Sequence, residues 1–426
     1  MNLVEKMRLA LMVSLVLGVA GGCDPGFDDF VRPEEEVFPA DTIRGQVLNL
    51  GTAFNHVCAA TADGALYCWG NGDFGQLGDG NHRSMPGPVR IRSEARFADS
   101  GGGYYHTCAL DTSGEVWCWG NSVTGMLGHE RTDAVVGGDP AEPIASTPYP
   151  VETTLRFSQL RTSGEIPVIC ALEPSGIAWC WGRIALGIGT SSASPRPVPV
   201  AGEHSFTELA VGGSHACALD RQGAAWCWGS NANGQIGTSS NVTEECGFPY
   251  SASCALEPVP VVTAVQFVAI SAGYAYTCAL STQGEAWCWG DASVGQTGTG
   301  EVGGTSDPTR VSGDHRFASI SAGTNHACGL TIEGEAWCWG NGNVGILGTE
   351  DGLRTCGLDS ANRCSPEPVP VSGGFRFELL AAGGGFTCGV GTDNRILCWG
   401  ANSFGTLGTG RFGGSQTTPV ALVAQE

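Results

Sequence analysis

The sequence predicts an all-β chain of seven tandem units, each of four short antiparallel strands, and three observations carry that reading. Cysteines recur in pairs ten residues apart, and each second cysteine is followed by Trp-Gly. The apolar runs between these marks are short, turn-bounded and free of any sustained 3.6-residue period. With 66 glycines, 12 tryptophans and only 15% charged residues, the 426-residue chain reads as one repeat array rather than as domains of about 150 residues each.

The N-terminus reads as an address. Lys6, the only lysine, and Arg8 precede an apolar run from Leu9 to Val19, too short to span a bilayer and suited to a signal h-region. The run ends in Ala20-Gly21-Gly22-Cys23, which resembles the lipobox of bacterial lipoproteins, with Ala20 departing from the usual leucine. That resemblance implies lipidation at Cys23 and an exported chain anchored in a bacterial cell envelope. Residues 1–22 are expected to be the signal peptide and 23–45, with Glu34-Glu35-Glu36 and prolines, an acidic flexible tether. The repeat body is expected over 46–426. A net charge of -21 repels phosphate backbones and excludes nucleic-acid binding as a function class.

The body is read from its cysteines. Fourteen form seven pairs: Cys58 with Cys68, Cys108 with Cys118, Cys170 with Cys180, Cys217 with Cys227, Cys278 with Cys288, Cys328 with Cys338, and Cys388 with Cys398. Each unit runs from an apolar start through Gly-x-x-His-x-Cys-Ala-Leu, a turn, x-Trp-Cys-Trp-Gly and a glycine loop to Pro-Val. Phe97, Phe206, Phe267, Phe317 and Phe377 stand eleven residues before their first cysteine, and Val47 takes that place in the first unit. If Cys58 and Cys68 oppose each other, Ala62-Asp63-Gly64 is a three-residue hairpin loop ending in a left-handed residue. Pro174 and Asn394 fit the same turn, at its first central and its left-handed positions. Opposed cysteines lie within disulfide reach.

Cys246 with Cys254 and Cys356 with Cys364 make two further short loops, leaving Cys23 as the odd cysteine that acylation would explain. Buried free thiols are the alternative in a reducing compartment. Zinc is disfavoured, since the chain has no Cys-x-x-Cys.

Two stretches, Gly103-Tyr104-Tyr105-His106-Thr107-Cys108-Ala109-Leu110 and Trp69-Gly70-Asn71-Gly72-Asp73-Phe74-Gly75-Gln76-Leu77-Gly78, resemble the regulator-of-chromosome-condensation repeat. The resemblance covers about residues 46 to 426 and implies a seven-bladed β-propeller, one blade per unit. The added cysteines resemble an extracytoplasmic bacterial branch. The third unit is degenerate, with Val168 in the histidine place and a glycine loop shortened between Gly182 and Gly187. The ring is expected to close by pairing the strand around Val420 to Val423 with that around Val47 to Leu50, which would remove two exposed edges. The family's founding member is a nucleotide-exchange factor, a role that a signal peptide and an acidic body argue against here.

Chemistry-bearing motifs are few. Gly70 to Gly75 and Gly340 to Gly345 fit Gly-x-Gly-x-x-Gly but sit in the repeat turn, without the helix that pyrophosphate binding needs. His56, His106, His215 and His326 each precede a cysteine by two residues; as repeat positions filled elsewhere by Val168, Tyr276 and Phe386, they read as packed core histidines. Asn241-Val242-Thr243 is a glycan sequon by pattern only. No catalytic residue, metal ligand or cofactor is therefore expected. The irregularity lies in the loops after Trp-Gly, which are longer by about ten residues in units two, four and six. Phe248, Tyr250, Leu353 and Leu358 in these insertions are the binding candidates. The expectation is a monomeric, non-catalytic, envelope-anchored propeller that binds a protein or glycan. The alternatives are an enzyme working at the channel mouth and a purely structural envelope protein.

Overall fold

A computed structural model describes residues 40–122, 127–129, 134–135, 143–162, 168–183, 186–238, 242, 244–245, 253–356 and 362–425. Among these, the only helical element is a turn at Asn343–Gly345. No described helix is long and apolar enough to cross a membrane.

The seven units are seven antiparallel sheets. Blade 1 holds Val47–Thr52, His56–Thr61, Leu66–Gly70 and Met85–Arg90 in that order from the central axis outward. Blades 2, 4 and 6 add a two-residue fifth strand outside their outermost one, at Ala134–Val135, Glu244–Glu245 and Arg354–Thr355. The central hairpin has the register that the cysteine spacing predicts: Cys58 opposes Cys68 and Ala60 opposes Leu66, with the same offset in every blade. Gly64 closes the turn at φ +82°, and Asn394 fills the equivalent place at φ +65°.

Each opposed pair is a disulfide within its own hairpin. Cys58 is bonded to Cys68, Cys108 to Cys118, Cys170 to Cys180 and Cys217 to Cys227. Cys278 is bonded to Cys288, Cys328 to Cys338 and Cys388 to Cys398. The Cα atoms of these pairs are 4.0 to 4.1 Å apart, the close approach of directly opposed strand residues. No bridge joins one of these cysteines to another blade, so the cross-links stiffen hairpins and leave the ring to be held by other contacts.

Packing lies between blades. The tryptophan after each second cysteine is fully buried. In blades 2 to 7 it meets the phenylalanine that opens its own blade, as in Phe97 to Trp119 at 6.3 Å and Phe377 to Trp399 at 5.7 Å. A bulge after the first residue of the innermost strand, as between Phe97 and Asp99, turns that ring into the core while the next residue faces out.

Because His56 pairs with Gly70, and Gly70 with Met85, the turns after the innermost strands and the glycine loops leave from one end of each blade. We call this the loop face. The hairpin turns and the blade-to-blade connections form the opposite, turn face.

Closure differs from the expected pairing. Val47–Thr52 is the innermost strand of blade 1 and Ser415–Ala421 the outermost of blade 7, so the two do not adjoin. The chain ends meet instead in a shorter contact, a parallel bridge between Ile43 and Gln425 in which Ile43 N donates to Ala424 O at 3.0 Å. Asp41 N donates to Pro88 O in blade 1, and Asn394 in blade 7 accepts from Val47 N and donates to Gly45 O, each at 2.9 Å or less. Ile43 is fully buried at this seam with Val47 and Leu422. Within the stretch expected as tether, residues 41–45 dock between the first and last blades through an apolar side chain and the backbone around it. Residues 1–39, including Cys23, lie outside the described residues.

Candidate functional site

A cavity of about 160 Å³ lies on the axis and is lined by the loop-face turns of all seven blades, from Thr52 and Gly102 to Gly383. Its wall is mostly backbone. Gly213 N donates to Tyr274 O, Tyr274 N to Thr324 O, Thr324 N to Gly383 O, and Gly384 N to Ala53 O, all at 3.0 to 3.2 Å. A side chain at Gly212, Gly273 or Gly323 would strike the carbonyl of the next blade's turn. These glycines therefore permit a relay of turn-to-turn hydrogen bonds from blade 4 to blade 1.

Below the turns, an innermost strand has a free edge facing the channel, and an unpaired edge must be satisfied or covered. Side chains of the neighbouring blade do this. Gln159 Oε1 accepts from Leu209 N and its Nε2 donates to Thr207 O. Ser271 Oγ accepts from Ala322 N and Ser321 Oγ from Ala382 N. Glu208 accepts from the backbone of Ile270 and faces Arg161, whose guanidinium also meets Asp99 at 3.1 Å. Burial raises the Glu208 carboxyl to about 7, against the opposing pull of Arg161 and of that backbone bond.

The repeat histidines hold blades together. His56 Nε2 lies 2.7 Å from Thr107 Oγ1 of the next blade, and Thr107 Oγ1 donates to Gln76 O in the first. Trp119 Nε1 donates to that same carbonyl at 2.9 Å. Since the threonine hydrogen is committed to the carbonyl, the histidine must be the Nε2–H tautomer and donate. The same set recurs with His215, Thr277, Gln235 and Trp289, and with His326, Thr387, Ile346 and Trp399. Burial pushes His56, His215 and His326 down to about 3, with His106 adding to the effect on His56. Burial likewise lowers His106 to about 4.

This pairing is a signal that reading single units misses, because its two halves lie in adjacent units. Threonine before the first cysteine follows a histidine blade; Ala327 follows Tyr276, and Val57 closes the ring after Phe386. The exception is His106, faced by Ile169 in the degenerate blade, and its Nε2 has no partner among the described residues.

The insertions share one position. Their fifth strands pair with the loop-face end of the outermost strand at Ile144, Cys254 and Cys364. Cys364 is bonded to Cys356, and Cys254 is disulfide-bonded as well. In blade 2 the buried Ile144 stands in the same place. Leu353 is partly buried against the core of blade 6 instead of projecting from it. Cys246, Phe248, Tyr250 and Leu358 lie outside the described residues. Among the described residues no three His, Cys, Asp or Glu side chains gather as metal ligands. The Gly70 to Gly75 and Gly340 to Gly345 stretches lead back into strands, the second through the single 3₁₀ turn Asn343–Gly345, and no α-helix follows either to hold phosphate.

Comparison with known proteins supplies the rest. The pattern described as Regulator of chromosome condensation (RCC1) repeat matches residues 63–110, 222–280, 283–330 and 333–390, half the chain. A second pattern of the same repeat matches 101–125, 206–235, 267–296, 317–346 and 378–406. The Ultraviolet-B receptor UVR8 of Arabidopsis thaliana is 26% identical over 371 residues, which is 86% of this chain and 67% of that protein. Yeast RCC1 (Prp20), solved bound to Kap60, superposes with a TM-score of 0.72 at 22% identity, covering 92% of this chain and 90% of that one. Prp20p of Saccharomyces cerevisiae, solved with a description of its binding to Gsp1p and histones, gives 0.71 at 22% identity, with 90% of each chain covered. Human WBSCR16 gives 0.65 at 16% identity over 84% of this chain and 91% of that one. At these identities the solved structures share the fold.

Proposed function

The chain belongs to the Regulator of chromosome condensation (RCC1) repeat family, and from that premise we propose that it is an exported, lipid-anchored, non-catalytic propeller whose loop face binds a protein partner. The observation that carries this reading is a division of labour. Many polar groups along the channel and between blades are engaged in holding neighbouring blades. The three insertions, which no blade needs, all leave from the same corner of the loop face. Cross-linked or strand-paired loops lose less ordering entropy on binding than free ones. The carboxylate Asp99 gives an enzyme reading little support, because it is paired with Arg161.

The relatives favour a protein over a glycan: Prp20 is seen with Kap60, and Prp20p is described as binding Gsp1p and histones. The many disulfides suit an oxidising compartment.

The test replaces the three insertions with the glycine loop of blade 1 and compares capture from an envelope extract with that by the parent chain. Loss of a specific protein with an unchanged thermal midpoint is expected. Full retention by the shortened chain would contradict the reading, and a captured glycan would redirect it. Intact mass of the membrane fraction should carry a lipid increment at Cys23; a soluble chain with unmodified Cys23 would refute the anchor.

A further inference from the structure

Four aromatic side chains break the seven-fold pattern of the loop face. Phe54 and Tyr104 stack with ring centroids 4.1 Å apart, Tyr104 meets Tyr105 at 4.8 Å, and Tyr105 meets Phe74 at 4.5 Å. All four are partly exposed. The matching turn positions are Gly213-Ser214, Thr324-Asn325 and Gly384-Gly385 in blades 4, 6 and 7, so neither the turn nor the ring requires aromatic residues there. Tyr274 of blade 5 lies over Gly213.

The rings form one strip. Phe54 lines the axial cavity. Phe74, at the other end, belongs to the glycine loop that packs on the outermost strand of blade 2, where Gly80 N donates to Ser146 O at 3.0 Å. The sequence that accompanies the strip is acidic. Asp73, beside Phe74, is exposed. The whole chain carries a net charge of -21.

We propose that this strip docks an arginine-bearing segment of the protein partner, guanidinium planes stacking on the ring faces. The proposal rests on the binding reading above and names the chemistry of its partner. An aromatic face carries negative quadrupole density and attracts a cation, and the flat, weakly hydrated guanidinium stacks where a strongly hydrated ammonium does not. An acidic protein draws such a segment in and repels acidic competitors.

The test uses the full chain and three synthetic peptides, oligoarginine, oligolysine and oligoglutamate, titrated calorimetrically at physiological salt. The arginine peptide should bind, the lysine peptide more weakly, and the glutamate peptide not at all. Replacing Phe54→Ala together with Tyr104→Ala should weaken arginine binding about ten-fold, the sum of two exposed cation–π contacts. Tyr104→Phe, which keeps the ring, should bind as the parent does. If the double variant does not fold, Tyr104→Leu alone carries the comparison, with a loss of about three-fold. Equal affinity of parent and ring-deleted chains would overturn the proposal, as would arginine and lysine peptides binding alike or no binding of oligoarginine. Each of these results leaves the insertion-shortening experiment free to support or refute the wider reading.

Discussion

The junction between blades 1 and 2 and those flanking blade 3 use the same scaffold with different success. At the first, His56 Nε2, Thr107, Trp119 and the Gln76 carbonyl are joined by hydrogen bonds, while His56 Nδ1 has no partner among the described residues. At the next, Ile169 stands in the threonine place, and His106 Nε2 has no partner among the described residues; beyond blade 3, neither has Trp228 Nε1. Yet the Cys170 to Cys180 bridge, the buried tryptophan and the four strands of blade 3 remain. Apolar packing and the hairpin therefore build a blade, and the polar set fastens one blade to the next. Histidines that look like a ligand pattern in sequence are fasteners, and recognition has to be sought where the repeat is broken.

The largest predicted effect concerns the seam, the one junction that the chain does not cross. Deleting Thr418 to Glu426 removes most of blade 7's outermost strand together with Gln425, the partner of Ile43. The thermal midpoint should fall by more than for any single substitution, and the opened ring should associate through its unpaired strand. A truncated chain that melts like the parent and stays monomeric would show that the seam contributes nothing.

Acid should act next. The four buried histidines have folded values of about 3 to 4 against an ordinary 6.5. Their contribution is complete above pH 6.5 and is lost as pH falls toward 4, because the unfolded chain takes up protons that the folded one refuses. Each contributes about 1 kcal/mol per pH unit in that window. Glu208, raised to about 7, works the other way between pH 4.5 and 7, but it is one group against four. Thermal midpoints measured from pH 7.5 to 4 should therefore decline, and the His215→Gln variant should decline less steeply.

A finer test supplies the missing fastener. In a double-mutant cycle on His106→Gln and Ile169→Thr, the hydroxyl introduced at position 169 should couple favourably to His106 by about 1 kcal/mol, the net value of a buried hydrogen bond. No coupling would mean that the His–Thr pairing at other junctions is incidental. Smallest of all, Arg376→Gln should cost well under about 1 kcal/mol, since its bridge to Glu335 is exposed on both sides.

Much of this was legible in the sequence. The ten-residue spacing is the register of a hairpin, and the left-handed place filled by glycine in six blades and by Asn394 in the seventh follows from turn stereochemistry. Asn394 also shows the limit. Its conformation could be read locally, but its bonds to Val47 N and Gly45 O join residues about 350 positions apart. Ile43 looked like tether because the local sequence around it does not reveal that the far end of the chain will cover it. The expected pairing of the terminal strands failed for a related reason: each blade is complete within its own unit, so the ends had no partial sheet to share. The aromatic strip is equally invisible in one dimension, since Phe54 and Phe74 come from blade 1 and Tyr104 and Tyr105 from blade 2.

The most direct test of the account places a photo-crosslinking residue at Val302, exposed on the loop face of blade 5, or at Ile332, exposed on the turn face of blade 6, in the chain as produced in its native cells. The account predicts a discrete protein adduct from Val302 and none from Ile332. An adduct from Ile332 alone would place recognition on the turn face and contradict it.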